Sequence, residues 1–159
     1  MDTPSNINGK VRRLYPGEAI PYDLLLLADE TEAAINRYIY DSDVYVYEAQ
    51  NEIIAIYVLQ VTGSDEIEIK NIAVEKRHQN LSIGKLLLRD AEIKAKEKGF
   101  GSIIIGTGDA SIKQLYIYQK AGFEVFDIKK NFYIDNYPEP IFENGIQLKH
   151  MLVLKKKIR

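Results

Sequence analysis

Val74-Glu75-Lys76-Arg77-His78-Gln79-Asn80-Leu81-Ser82-Ile83-Gly84-Lys85 decides how this chain is read. The stretch leaves an apolar strand, crosses a polar loop and enters a long amphipathic helix, Gly84 to Lys98, with Leu86, Leu87, Ala91 and Ala95 on one face. Asp90–Lys94 and Glu92–Lys96 are spaced to pair at i,i+4 on its solvent side, and Gly99 is a good stop. In such a strand-loop-helix, unpaired N–H groups of the loop and first turn converge on one point. The helix dipole adds roughly 0.3–1 kcal/mol for a negative ligand there, so a phosphate or pyrophosphate is the natural guest, although many such turns hold none. A Walker A loop does not fit, because Gly84-Lys85 is followed by Leu86 and Gln79 stands where the first glycine belongs. The glycines of a dinucleotide fingerprint are missing as well.

Upstream, Glu66 to Val74 reads as a strand whose phase breaks partway. Ile67 and Ile69 are odd-numbered, whereas Ile72 and Val74 are even-numbered. A period-2 strand changes parity only by gaining a residue, which predicts a β-bulge near Lys70 or Asn71; a strand buried on both faces is the alternative. Val44 to Tyr47 and Ile53 to Val61 form a hairpin about Gln50-Asn51-Glu52, and Gly63-Ser64-Asp65 turns the chain into the bulged strand. Nearer the N-terminus come a short strand at Val11 to Leu14, a helix from Pro21 through Leu27 and another over Thr31 to Tyr40. Downstream lie a strand at Ser102 to Thr107, a helix at Ile112 to Ala121 ended by Gly122, and a strand at Phe123 to Ile134. A last strand spans Gln147 to Lys155, with Leu148, Leu152 and Leu154 on one face. With no repeats, linkers or low-complexity tracts, residues 1–159 read as one α+β domain around a mixed sheet, with 1–9 as a polar tail.

Composition narrows the function. The 159 residues are 46% apolar, enough for a substantial core, and 21 basic against 23 acidic residues leave no basic face for nucleic acid or anionic lipid. Absence of cysteine excludes disulfides, thiol nucleophiles and Fe–S clusters, and two histidines make a His-rich metal site improbable. The aliphatic runs at Leu24–Ala28 and Ile103–Ile105 fall far short of the roughly 20 residues of a membrane span. The polar start Met1–Asn6 lacks the regions of a secretory signal, so a cytoplasmic location is expected.

At Gln79-Asn80-Leu81-Ser82-Ile83-Gly84 the chain resembles the GNAT acetyl-CoA signature, Gln/Arg-x-x-Gly-x-Gly/Ala, at its usual place between a strand and a long helix. Further on, Ile117-Tyr118-Gln119-Lys120-Ala121-Gly122-Phe123 resembles the Leu-Tyr-x-Lys-x-Gly-Phe segment of the same superfamily. The resemblance runs from about Val11 to Lys155 and is sharpest from Glu66 to Phe123. It implies the GNAT fold: a twisted mixed sheet of about six to seven strands with about four helices, and two parallel strands, Glu66–Val74 and Ser102–Thr107, splayed around the pantetheine arm of acetyl-CoA. By the same analogy, backbone groups of Ile72 and Val74 pair with the pantetheine, and Gln79, Asn80, Leu81, Ser82, Ile83, Gly84 and Lys85 hold the pyrophosphate. Two positions depart from the pattern. Ser82 replaces the first glycine, where a positive φ would suit serine less well. Asp109 stands where many relatives carry a pantetheine-binding asparagine, and an ionised aspartate has no amide donor.

Acetyl transfer to an amine needs a neutral nucleophile, a polarised carbonyl and a proton for the leaving thiolate. The family match places Tyr118 as that proton donor. Tyr116 is two positions away, roughly 200° around a helix, so only one of the pair faces the cofactor. Glu68 lies where some GNAT enzymes hold a water-mediated general base; a merely solvated glutamate is the plainer reading. A backbone N–H of Ile72 or Ala73 would polarise the carbonyl, and no metal is required. Asp135, Glu139 and Glu143, with Asp29, Glu30 and Glu32, suggest an electronegative entrance for a cationic primary amine: a small molecule, a peptide N-terminus or a lysine. His78 reads as a solvated loop residue and His150 as a satisfied structural one. Tyr45, Tyr47 and Tyr57 are either core or a homodimer face. The rival reading is a catalytically silent acyl-CoA sensor or scaffold with the same fold.

Overall fold

The structure, a computed structural model, describes residues 8–159. Most of the expected N-terminal tail lies outside the described residues, and Gly9 already belongs to the first strand. The elements are β1 (Gly9–Arg13), α1 (Tyr22–Leu25), α2 (Glu32–Asn36), β2 (Asp43–Ala49), β3 (Glu52–Val61) and β4 (Glu66–Val74). There follow α3 (Ile83–Glu97), β5 (Ser102–Gly108), α4 (Ile112–Lys120), β6 (Glu124–Lys129), α5 (Phe132–Asn136), β7 (Phe142–Glu143), β8 (Ile146–Gln147) and β9 (Met151–Lys157). Seven strands form one mixed sheet in the order β1-β2-β3-β4-β5-β9-β6, and β7-β8 is a separate hairpin. β4 and β5 run parallel; the other pairs are antiparallel.

Local chemistry places the elements. Gln50 and Asn51 both have positive φ, +53° and +65°, the type I′ geometry that matches strand twist in the β2-β3 hairpin. The Thr31 hydroxyl accepts from Ala34 N at 3.0 Å and caps α2. Both N-terminal helices are shorter than expected: α1 closes into turns after Leu25, and the chain past α2 continues as a 3₁₀ turn at Ile39–Asp41. Leu24, Leu25, Ala34, Ile35, Tyr38 and Ile39 are the apolar residues buried there, so a short helical face suffices.

The sheet buries two apolar layers. On one side Tyr45, Tyr57, Ile67, Ile69, Ile103, Ile105 and Leu154 meet Ile83, Leu87, Leu88, Ala91 and Ala95 of α3. On the other, Val44, Val46, Ile56, Val58 and Ala73 meet Leu24, Leu25, Ile35, Tyr38 and Ile39. Tyr45, Tyr47 and Tyr57 are all buried within the chain, and the rings of Tyr45 and Tyr57 stack at 5.0 Å. These tyrosines are core and do not form a dimer face. The buried stripe of α3 is offset from the expected one, with Leu88 inside and Leu86 exposed. Asp90 pairs with Lys94 at 3.5 Å and accepts the Tyr57 hydroxyl at 2.5 Å, but Glu92 pairs with Lys156 of β9, 2.8 Å away, instead of Lys96.

The bulge falls where the parity break put it. Val58 pairs with Asn71 and Leu59 with Ile69, leaving Lys70 as the extra residue. Ile67 and Ile69 pack towards α3 before it, and Ile72 and Val74 after it, while Asn71 and Ala73 turn to the α1–α2 layer. β4 and β5 pair only from Glu66↔Ser102 to Ile69↔Ile105, and beyond that point the strands part.

Two expectations at the C-terminal side need correction. The strand expected over Phe123–Ile134 ends at Lys129; Asn131, at φ +57°, turns the chain into α5, and its N–H is accepted by His150 Nδ1 at 2.9 Å. Leu148 does not share the β9 face but packs with Ala110 and Ile141 beneath the β7-β8 hairpin. No helix among the described residues is long and apolar enough to cross a membrane. Since Leu87 is fully buried in the larger layer, Leu87→Ala should lower unfolding free energy by about 2–5 kcal/mol, read from urea denaturation. A loss below about 1 kcal/mol would mean that α3 is not packed as described.

Candidate active site

The gap between β4 and β5 opens into a cavity of about 930 Å³ that runs from the start of α3 to the α1–α2 segment and α5. At one end the first hydrogen bond into α3 is Leu86 N–H to Ser82 O, 3.1 Å, so the N–H groups of Ile83, Gly84 and Lys85 stand free at the helix start. Space is open where a Cβ on Gly84 would point. Asn80 and Ser82 have φ of +66° and +63°, so Ser82 occupies the left-handed conformation that favours glycine. Asn80, Ser82, Ile83, Gly84 and Lys85 line the cavity, as does Gln79, whose Nε2 donates to Val74 O at 2.9 Å and ties the loop to β4. Leu81 packs onto the α3 core instead. His78 is half-buried, 3.8 Å from the Glu75 carboxylate, and lines the cavity; it is not the solvated residue expected. The free amides, the open glycine and the parting strands fit a phosphate-bearing thioester arm.

The splayed strand has a definite polarity. Glu75 N–H donates to Ile54 O at 2.8 Å, which makes that pair hydrogen-bonded across β3 and β4. By the alternation of an antiparallel ladder, the next such pair is Ile56↔Ala73, whereas Tyr57↔Ile72 and Ala55↔Val74 direct their peptide groups away from each other. Ile72 therefore presents its backbone N–H and C=O to the gap and Val74 its N–H, the Val74 carbonyl already accepting from Gln79 Nε2. The Ala73 N–H is directed to β3, so of the two amides considered for polarising a carbonyl only that of Ile72 faces the cavity.

Tyr118 and Tyr116 of α4 both line the cavity, contrary to the expectation that only one of the pair would: Tyr118 is 8% exposed and set into the wall, and Tyr116 is 65% exposed at its rim. Burial, reinforced by the charge of Glu143, pushes the Tyr118 hydroxyl well above the ordinary phenol range, so it stays protonated. The motif around it is structural: Phe123 N–H donates to Tyr118 O at 3.0 Å, the two rings lie 6.3 Å apart, and Gly122 takes φ +100° to make that turn. Glu68 is only 7% exposed, lies on the cavity wall, and has Lys70 Nζ at 3.6 Å. It is neither solvated nor unpaired. Asp109 is not among the cavity-lining residues: its Oδ1 accepts from Lys149 N–H at 3.1 Å and its own N–H donates to His150 O at 3.0 Å. Those two bonds close the Lys149–His150 segment onto the end of β5.

The far end of the cavity is built from residues that local pattern does not join. Asp29 Oδ1 accepts the Tyr137 hydroxyl at 2.6 Å and its Oδ2 accepts the Tyr38 hydroxyl at 3.2 Å. Tyr38 in turn accepts from Asn71 Nδ2 at 3.0 Å. Tyr133 stacks on Tyr137, with centroids 5.9 Å apart. Burial holds all three phenols above their usual range, and for Tyr137 the bond to Asp29 adds to it. Of the acidic residues expected at the entrance, Asp29, Glu30 and Glu143 line the cavity and Glu32, Asp135 and Glu139 do not. The i,i+4 spacing of Tyr133 and Tyr137 was the available sign of a helix in a segment expected to be strand.

A mixed sheet split at a bulge, with a helix start facing the split, defines the fold and cofactor cleft of GNAT acetyltransferases. A family model described as an acetyltransferase (GNAT) domain matches residues 40–125, and the chain belongs to that family. The uncharacterized N-acetyltransferase YvbK of Bacillus subtilis is 44% identical over 133 residues, 84% of this chain and 86% of that protein. A GNAT family acetyltransferase from Elizabethkingia anophelis, solved with acetyl-CoA bound, superposes with a TM-score of 0.92 at 47% identity, covering 94% of this chain and 98% of that one. A Bacillus subtilis acetyltransferase in complex with CoA gives 0.88 at 39% identity, covering 94% and 99%.

Ser82→Gly relieves a left-handed serine at the phosphate end. It should stabilise the chain by about 1 kcal/mol in denaturant titrations and leave the acetyl-CoA dissociation constant equal or lower. A loss of stability would show that the Ser82 side chain contributes more than its backbone strain costs.

Proposed function

We propose that the chain is an N-acetyltransferase that moves the acetyl group of acetyl-CoA to a primary amine by direct attack in a ternary complex. The supporting observation is that one cavity joins the free amides of the α3 start, the outward peptide groups of Ile72 and Val74, the protonated Tyr118 and the buried Glu68. Bound acetyl-CoA supplies an activated acyl group. Ile83, Gly84 and Lys85 amides hold its pyrophosphate, with the helix dipole adding to the attraction. Ile72 and Val74 align the pantetheine as an added strand edge would, and Ile72 N–H polarises the carbonyl.

Tyr118 and Glu68 reach the reacting atoms from opposite faces of the split sheet. Glu68 removes the proton from the incoming ammonium through water, with Lys70 offsetting its buried charge. Tyr118 donates its phenolic proton to the departing sulfur. Its raised pKa keeps that proton in place at neutral pH and moves its loss upward, beyond the ordinary tyrosine value of about 10.

Calorimetric titration with acetyl-CoA, with ATP and NAD as controls, followed by thiol release on adding amines, tests the reading. Tyr118→Phe should leave acetyl-CoA affinity within about twofold and lower kcat at least about tenfold, while wild-type kcat shows no alkaline decline below about pH 10. An unchanged kcat would remove Tyr118 from the mechanism. Saturable binding with no turnover of any amine would mark a silent acyl-CoA-binding module.

A further inference from the structure

The acceptor end of the cavity is roofed, walled and charged in a way that specifies a substrate class. Two hydrogen bonds cross above it between segments far apart in the chain: Tyr137 hydroxyl to Asp29 Oδ1 at 2.6 Å, and Arg37 Nη2 to the carbonyl of Asn136 at 3.1 Å. All four residues line the cavity, so α5 is fastened to the α1–α2 segment across the path an acceptor would take. A polypeptide acceptor needs an open groove or a strand edge, and here the parting edges of β4 and β5 are committed to the cofactor. The tethered roof leaves room for a slender molecule.

The walls are aromatic and the polar groups are acceptors. Tyr38, Tyr133 and Tyr137 face the cavity, and ring faces of this kind attract cations. Asp29 receives two phenolic protons and the Glu30 N–H at 2.8 Å, and a carboxylate with about four acceptor positions retains one more. Asn71, 4% exposed and on the same cavity, donates through Nδ2 to Leu25 O and to the Tyr38 hydroxyl, while its Oδ1 is buried with no partner. The two cations at this end are spoken for: Arg37 bonds the Asn136 carbonyl, and Lys70 faces Glu68 with the Tyr38 ring 5.5 Å away.

We infer that the acceptor is a small aliphatic diamine or polyamine, whose reacting nitrogen meets Glu68 while a second ammonium sits among Asp29, Tyr38, Tyr133 and Tyr137. The inference rests on the transferase reading above, and it separates two carboxylate tasks. Glu68 deprotonates one nitrogen; Asp29 keeps the other charged and in place.

The test compares putrescine, spermidine, n-butylamine and a hexapeptide with an N-terminal alanine as acceptors, by kcat/KM from thiol release. Putrescine should exceed n-butylamine, which has the same four-carbon chain but lacks the second ammonium, by about 10- to 100-fold, and the peptide should be the poorest acceptor. Asp29→Asn keeps the shape and the hydroxyl acceptor and should reduce the putrescine-to-butylamine ratio about tenfold, chiefly through KM. Tyr137→Phe, which cuts the roof bond without removing the ring, should raise the peptide relative to putrescine. Parity of putrescine with n-butylamine, or a peptide used best by the wild-type chain, would overturn the inference and leave the transferase reading standing. Saturable acetyl-CoA binding with no turnover of any of the four would overturn the inference, and only the same failure across a wider panel of amines would sink the transferase reading with it.

Discussion

One extra residue in one strand governs this molecule. Lys70 breaks the register between β3 and β4, and the strand that bends there stops pairing with β5 after Ile69↔Ile105. Every feature of the candidate site follows from that parting. Without it the peptide groups of Ile72 and Val74 would complete a continuous sheet and Glu68 would lie under an unbroken surface. The helix start at Ile83 would then face a wall instead of a cavity.

The bulge is held open from both sides. On one face Ile72 and Val74 pack with the α3 layer. On the other, Asn71 anchors the bent strand to the carbonyl of Leu25 and to Tyr38, and Tyr38 passes the connection to Asp29 and thence to Tyr137. A chain of polar contacts of this kind, drawn out of water, fixes geometry more than it adds stability. It links the distortion in the sheet to the segment that covers the acceptor end, so cofactor cleft and acceptor pocket share one support.

What could be read from sequence was what local chemistry dictates. The parity switch from Ile69 to Ile72 located the bulge to within two residues, Gln50-Asn51 located a hairpin, and the polar loop before Gly84 located the helix start. Ser82 stands where the signature has glycine, a place that would suit serine less well if it needed a positive φ, and it has such a φ. What stayed hidden depends on contacts between distant segments. Leu88 is buried and Leu86 exposed because the sheet sets which side of α3 is covered; Glu92 finds Lys156 in space before Lys96 in sequence; Asp109 turns to close the Lys149 loop. The short helix α5 was masked by β-branched and aromatic neighbours that suit a strand as well. The Asp29–Tyr137 bond spans 108 residues, and no periodicity or motif announces it.

The central claim is that the parted strand and the α3 start grip acetyl-CoA through main-chain groups, and residue-resolved amide exchange measures those groups directly. In the free protein the Ala73 amide should already be protected by β3, with Ile72, Val74, Ile83, Gly84 and Lys85 exchanging fast. Adding acetyl-CoA should slow the last three and Ile72 or Val74, and leave Ala73 as it was. Protection of Ile72 and Val74 before any ligand is added, or slowing confined to residues away from the gap and the α3 start, would contradict the account.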